Sequence, residues 1–204
     1  MPARAVLCAL AATLLLLLAA PAQPQEPPAH GVTYYLGVYA GASYWPDTDI
    51  DIAEERFEDR QFDLDRMVGA RFGWWWRELP FLALEFNLWN SWTGTDFRDF
   101  DIVLVNVSGS FLLQHFFGPL RAYGGGGIIG TWAELTNSAD DETISPGAIA
   151  QAGAEYIVPI APEWGIFTEF RFTWNAFMFE DDGMGKVDIN PSRMEFLAGV
   201  AYHF

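Results

Sequence analysis

Arg71, Glu85, Glu155, Glu169, Arg171 and Glu195 each sit in a stretch where polar and apolar side chains alternate. Alternation puts residues i, i+2 and i+4 on one face of a strand. Parity assigns all six to the polar face of their stretches. If those faces meet, three chemistries are open: a plug of salt bridges, a gated narrow ion path, or a paired-carboxylate acid–base centre. Four carboxylates stand against two guanidiniums in this set. At least one carboxylate must therefore be neutralised, by a proton or by a further cation.

A second candidate is the acidic segment near residue 50. Asp47, Asp49, Asp51, Glu55 and Glu58 occupy relative positions 1, 3, 5, 9 and 12, the ligand spacing of a calcium loop. Position 6, where the sharp turn needs glycine, is Ile52. A solvated acidic segment is the preferred reading, and calcium or magnesium is the ion that a looser site there would take. Otherwise no cofactor is expected.

The elements that would carry these residues are eight alternating segments: roughly 33–43, 61–74, 81–92, 100–114, 121–133, 146–158, 164–178 and 193–204. Each is long enough to cross a membrane as a tilted strand, which takes roughly nine to eleven residues. Three connections are short and contain proline; four, at 44–60, 93–99, 134–145 and 179–192, are longer. Short turns at one end and long loops at the other are the pattern of a transmembrane β-barrel, whose turns are periplasmic. On the seventh segment Ile166, Thr168, Phe170, Phe172 and Trp174 form one face, and Glu169, Arg171, Thr173 and Asn175 the other. Apolar faces are expected outward against lipid and polar faces inward, the reverse of a soluble barrel. The expected fold is all-β, an eight-stranded antiparallel up-and-down transmembrane barrel.

Both ends fit export to a membrane. Residues 1–22 carry only Arg4, an apolar run through Leu14–Leu18 and a small-x-small pattern at Ala20-Pro21-Ala22, which reads as a signal peptide. Residues 23–32 form a proline-rich periplasmic leader, and 33–204 the barrel. Cys8 is the only cysteine and falls within the signal, so the exported chain would hold no disulfide. The net charge of −16 argues against nucleic acid as a partner. The four long connections alone hold seventeen acidic and four basic residues, a net of −13. Such a surface repels anions and gathers cations, including any that bridge it to lipopolysaccharide.

The nine tryptophans lie at strand ends. Trp74, Trp75, Trp76 and Trp164 sit at short-turn ends, and Trp45, Trp89, Trp92, Trp132 and Trp174 towards long-loop ends. Two aromatic girdles are expected. The run Gly124–Gly127 is read as a strand that needs close packing, since no helix or Lys-Ser/Thr follows to make a phosphate loop.

With Tyr123-Gly-Gly-Gly-Gly-Ile-Ile-Gly130, with Glu155-Tyr-Ile-Val158 leading to Glu169-Phe-Arg-Phe172, and with the terminal Phe204, the chain resembles the small eight-stranded outer-membrane proteins that include the OmpA transmembrane domain and OmpX. The resemblance covers residues 33–204 and specifies architecture rather than activity. It implies a bacterial outer-membrane location and a monomer. It also implies that Tyr202 and Phe204 resemble the terminal signal read by the barrel-assembly machinery. Outer-membrane enzymes that modify lipid A or cleave peptides carry catalytic groups, a histidine among them, in the outer half of the barrel. His30, His115 and His203 all fall on the periplasmic side, so no enzyme of those classes is expected. The expected role is structural or surface-interactive, adhesin-like, with a narrow ion or small-solute channel as the alternative and a lipid A-modifying enzyme disfavoured.

Overall fold

A computed structural model describes residues 32–45, 48–52, 55–60, 65–94, 101–136, 142–175, 177–181, 185–189 and 192–204. The expected signal peptide and all but the last residue of the expected leader lie outside these. Val32, assigned above to the leader, begins the first strand.

The strands are β1 (Val32–Tyr44), β2 (Thr48–Ile52), β3 (Glu55–Arg60), β4 (Asp65–Trp76), β5 (Leu82–Gly94), β6 (Asp101–Phe117), β7 (Leu120–Thr136), β8 (Glu142–Ile157), β9 (Trp164–Asn175), β10 (Phe177–Asp181), β11 (Gly185–Ile189) and β12 (Ser192–His203). Eight of them close a barrel in the order β1-β12-β9-β8-β7-β6-β5-β4, and every neighbouring pair is antiparallel. Closure leaves the barrel no free edge for another chain to extend. The two-residue connection Gly118-Pro119 joins β6 to β7 and has Gly118 at φ 62°, the left-handed region where a side chain would be strained.

Parity sorts the faces as expected. Leu36, Leu88, Ile166 and Phe196 are exposed on the outside, while Glu85, Glu155, Arg171 and Glu195 are buried inside. A polar interior inside an apolar exterior is the arrangement that lipid demands. An eight-stranded barrel is just wide enough for side chains to fill it. Glycines set where the largest ones fit. A Cβ on Gly69 would come within 2.6 Å of the Tyr39 ring, and one on Gly73 would overlap the Tyr35 ring. In the run Gly124–Gly127, which is continuous strand in β7, a Cβ on Gly125 or Gly127 would strike carbonyl oxygens of β6.

Two expectations are corrected. The connections 44–60 and 179–192 are not simply loops. The hairpin β2–β3 and the hairpin β10–β11 pair with each other through Val187↔Ile52 and Ile189↔Ile50, giving a four-stranded sheet of order β10-β11-β2-β3. The two-residue spacing of Asp49 and Asp51, read as a ligand spacing, is also the period of a strand. Both lie on β2, and Glu55 and Glu58 lie on β3, so the described backbone at these four residues is paired strand. Asp47 lies outside the described residues.

The second correction concerns the girdles. Trp45, Trp75 and Trp89 face the lumen, 1%, 8% and 1% exposed. Each shares parity with an inward neighbour, Ser43, Arg71 and Asn87 respectively, and parity outranks nearness to a strand end. Trp74, Trp76 and Trp164 remain outside at the short-turn end, and Trp92, Trp132 and Trp174 at the other.

Candidate functional site: the charged lumen

All six charges predicted for the lumen are there, each buried. In its short-turn half Arg71, Glu85, Glu155, Glu169 and Arg171 form a septum, with Glu195 further towards the long-loop end; β4 points Arg71 inward across from β7, β8 and β9. Arg71 Nη1 donates to the Tyr123 hydroxyl at 2.9 Å and lies 3.6 Å from Glu85 and 3.8 Å from Glu169. Its Nη2 is 3.2 Å from Glu155, and the Phe167 ring lies 3.3 Å from the guanidinium carbon. One cation thus holds three carboxylates and an aromatic face. Attraction to three carboxylates at once offsets the desolvation of a buried guanidinium, although Nε and Nη2 make no hydrogen bond.

The carboxylates are each satisfied again from elsewhere. Glu85 accepts from the Tyr35 hydroxyl at 2.6 Å, Gln151 at 2.7 Å and Asn87 at 3.0 Å. Glu169 accepts from Tyr123 at 2.7 Å and from Arg171 Nε at 2.5 Å. Arg171 continues to Tyr39 at 2.7 Å and to Asn87 at 2.6 Å. Glu155 takes Arg121 Nη1 at 2.8 Å on one oxygen and meets His203 Nε2 at 2.8 Å with the other. Charge-assisted bonds in a shared lattice of this kind reinforce one another.

Sequence reasoning missed three charged members: Arg121, Arg193 and Asp65, all buried inward. The signal was present, since each shares parity with a residue assigned to the lumen or to its strand's inner face. With them, four arginines face five carboxylates among the described residues. The two further cations and one further carboxylate therefore reduce the excess of carboxylates from two to one. Of the histidines, His115 is exposed on the outer face and His203 binds Glu155 at the short-turn end; His30 lies outside the described residues.

No protein-family description and no curated protein matches the sequence. Solved structures do match. The outer membrane protein OprG from Pseudomonas aeruginosa is 16% identical, with 89% of this chain and 99% of that one covered and a TM-score of 0.66. Neisserial surface protein A gives 16% identity, coverage of 85% and 99%, and a TM-score of 0.57. The outer membrane protein AlkL, solved in lipid bilayers, gives 12%, 89% and 95%, and 0.56. This is the fold of the small outer-membrane β-barrels.

The long-loop half of the barrel is built differently. Arg193 Nη2 donates to Asn106 at 2.9 Å, and Thr131 joins Asn106 to Asn175 through bonds of 2.8 and 2.9 Å. Glu195 accepts from Trp89 at 3.3 Å and lies 4.0 Å from Arg193. Trp45 closes the layer, donating to Asp65 at 2.7 Å with Arg193 5.6 Å from its ring. The hydroxyls of Ser43, Ser91, Ser108 and Thr173, together with Arg193 Nε and Glu195 Oε2, are buried with no hydrogen-bond partner.

At the seam the terminal strand is locked to the first. Tyr34 and Phe204 exchange backbone hydrogen bonds of 3.0 and 2.9 Å, and their rings stack at 5.9 Å on the lipid face. Tyr202 lies on the same face, stacked with Phe204 and edge-on to Trp164.

Proposed function

We propose that this outer-membrane barrel acts through its surfaces and not through an open pore, in a structural or adhesin-like role. The observation that carries the reading is the septum, in which Arg71 gathers Glu85, Glu155 and Glu169 across the whole lumen. On this reading the filled polar interior rigidifies the wall and closes the path through it. The four-stranded sheet of the long-loop end then offers the surface for contact with other molecules, and its strongly acidic connections favour divalent cations and, through them, lipopolysaccharide. Planar-bilayer recordings test the reading. Purified protein should give no conductance steps, and sustained steps in the unmodified protein would remove it. Calorimetry with calcium at about millimolar concentration, the range of weak extracellular sites, tests the cation proposal, which a trace without binding heat would end.

A narrow gated channel is the second reading, favoured by one observation. Arg171 holds Glu169, Tyr39 and Asn87 at once, so its removal would loosen several parts of the septum together. Arg171→Ala should conduct if that reading holds, and silence in both proteins would sink it.

Assembly is proposed to begin from the terminal strand, with Tyr202 and Phe204 presented to the barrel-assembly machinery. Phe204→Ala should lower the fraction of heat-modifiable, folded protein in the outer membrane. A fraction equal to the parent's would discard the assignment.

A further inference from the structure

At the short-turn mouth, beyond the Arg71 septum, a second layer of side chains closes on itself. Gln114 donates to the Pro80 carbonyl at 2.8 Å, and its side-chain oxygen accepts from Arg121 Nε at 2.7 Å. Arg121 donates to Glu155 at 2.8 Å, and the other oxygen of Glu155 accepts from His203 Nε2 at 2.8 Å. The Tyr35 and Trp75 rings complete the circle. They pack on the His203 ring, with centroids 5.9 and 5.6 Å away, and on the Arg121 guanidinium at 4.8 and 4.7 Å.

The link from Glu155 to His203 joins strands that are not neighbours, since β9 lies between β8 and β12. Gly165 of β9, the register partner of Ile157 and Ala201, lets the two meet. A Cβ there would strike Glu155 Oε1, the oxygen that His203 binds. His203 also donates its backbone N–H to the Glu163 carbonyl at 2.7 Å, so the imidazole takes its place only when β12 has docked on β9. Its side chain is 8% exposed, while Glu155, Arg121 and Tyr35 behind it are each 0% exposed.

We infer that the short-turn mouth of the lumen has a seal of its own and that His203, the last inward residue of the chain, is its keystone. The inference rests on the filled-lumen reading and adds that the septum is shielded from the short-turn side by a separate layer. Without the imidazole, water reaches the Glu155–Arg121 pair, and attraction between charges weakens in a medium of high dielectric constant.

Cysteine accessibility tests this. Ala83→Cys lies in the cluster behind the seal with Tyr35 and Trp75, and Thr131→Cys lies in the long-loop half. Each, combined with Cys8→Ser, is treated in folded, membrane-embedded protein with a small charged methanethiosulfonate. Ala83→Cys should be inert in the parent and react at least about tenfold faster with His203→Ala, the factor that loss of one hydrogen bond to a charged group allows. His203→Gln, which keeps a donor near the position of Nε2, should stay close to the parent. Gly165→Ala, which displaces the carboxylate and leaves the imidazole, should fall between and carries the test if His203→Ala fails to fold. Thr131→Cys should react at one rate in all four backgrounds. An Ala83→Cys thiol that stays inert in every background would overturn the seal, as would Thr131→Cys accelerating in step with it, the mark of a barrel loosened throughout. Conductance steps in the unmodified protein would remove the filled-lumen reading itself, whereas a reactive Ala83→Cys in a parent that does not conduct would overturn the seal alone.

Discussion

Arg71 and Arg193 are both fully buried arginines on inward faces of the same barrel, and each leaves two side-chain nitrogens without a hydrogen-bond partner, yet their surroundings differ in charge. Arg71 lies within 4 Å of three carboxylates and a tyrosine hydroxyl, with a phenylalanine ring against its flat face. Arg193 makes one hydrogen bond, to an amide, and faces its nearest carboxylate at 4.0 Å. What separates them is the number of strands that aim charges at the same level. Around Arg71 the strands β5, β8 and β9 each contribute a glutamate, whereas around Arg193 the neighbouring positions are mostly Ser, Thr and Asn. A buried guanidinium stabilises only when its surroundings replace the water it lost. The short-turn half is therefore the lock of this barrel, and the long-loop half is held by fewer ion pairs among the described residues.

The sharpest way to break that contrast is to remove the hub. Arg71→Met leaves Glu85, Glu155 and Glu169 facing one another with a cation gone, and breaking a buried ion pair in this manner costs about 3–5 kcal/mol. Urea unfolding of the barrel in lipid vesicles should show a loss of that size. A loss under about 1 kcal/mol, the range of exposed pairs, would mean that Arg121 and Arg171 take over and that no single residue is the hub.

A smaller effect is expected one contact away. Tyr35→Phe removes the 2.6 Å bond to Glu85 while leaving Gln151 and Asn87 in place. Hydrogen bonds to charged groups are worth about 1.5–3 kcal/mol, and the two remaining donors put this change near the lower end. The double variant with Arg71→Met should fall short of the sum of the singles, because both act on Glu85. Simple additivity in that cycle would show that the septum is a set of separate pairs and not one lattice.

How much of this was written in the sequence follows from the physics of alternation. Period two sorts faces without reference to partners, so the lipid belt, the eight crossing strands and the inward set of Arg71, Glu85, Glu155, Glu169, Arg171 and Glu195 were legible. Partners were not, because they depend on the stagger of strands around the cylinder. Tyr35 and Glu85 are fifty residues apart, and Arg171 and Tyr39 are 132 apart. Arg121 was hidden by the glycine run beside it, and Arg193 and Asp65 by their places near strand ends. Trp45, Trp75 and Trp89 were assigned by position along the strand, where parity with Ser43, Arg71 and Asn87 was the better guide. The sheet made by β2, β3, β10 and β11 was hidden for another reason. Alternating Asp and Ile reads equally as a ligand series and as a strand, and only the pairing of two distant hairpins decides between them.

The smallest effect is predicted for the other arginine. Arg193→Met removes a charge whose single hydrogen bond is to Asn106, and it fills the same space with a side chain that needs no partner. The losses are one neutral-acceptor bond and a distant attraction to Glu195; the gain is relief from burying a guanidinium with unpartnered donors. Replacing poorly paired buried charge by an apolar group of similar volume is often neutral or favourable, so stability should stay within about 1 kcal/mol of the parent, the size of one ordinary hydrogen bond. The same unfolding measurement compares it directly with Arg71→Met. If the two substitutions cost the same, Arg193 is as firmly held as Arg71, and the long-loop half is as much a lock as the septum beneath it.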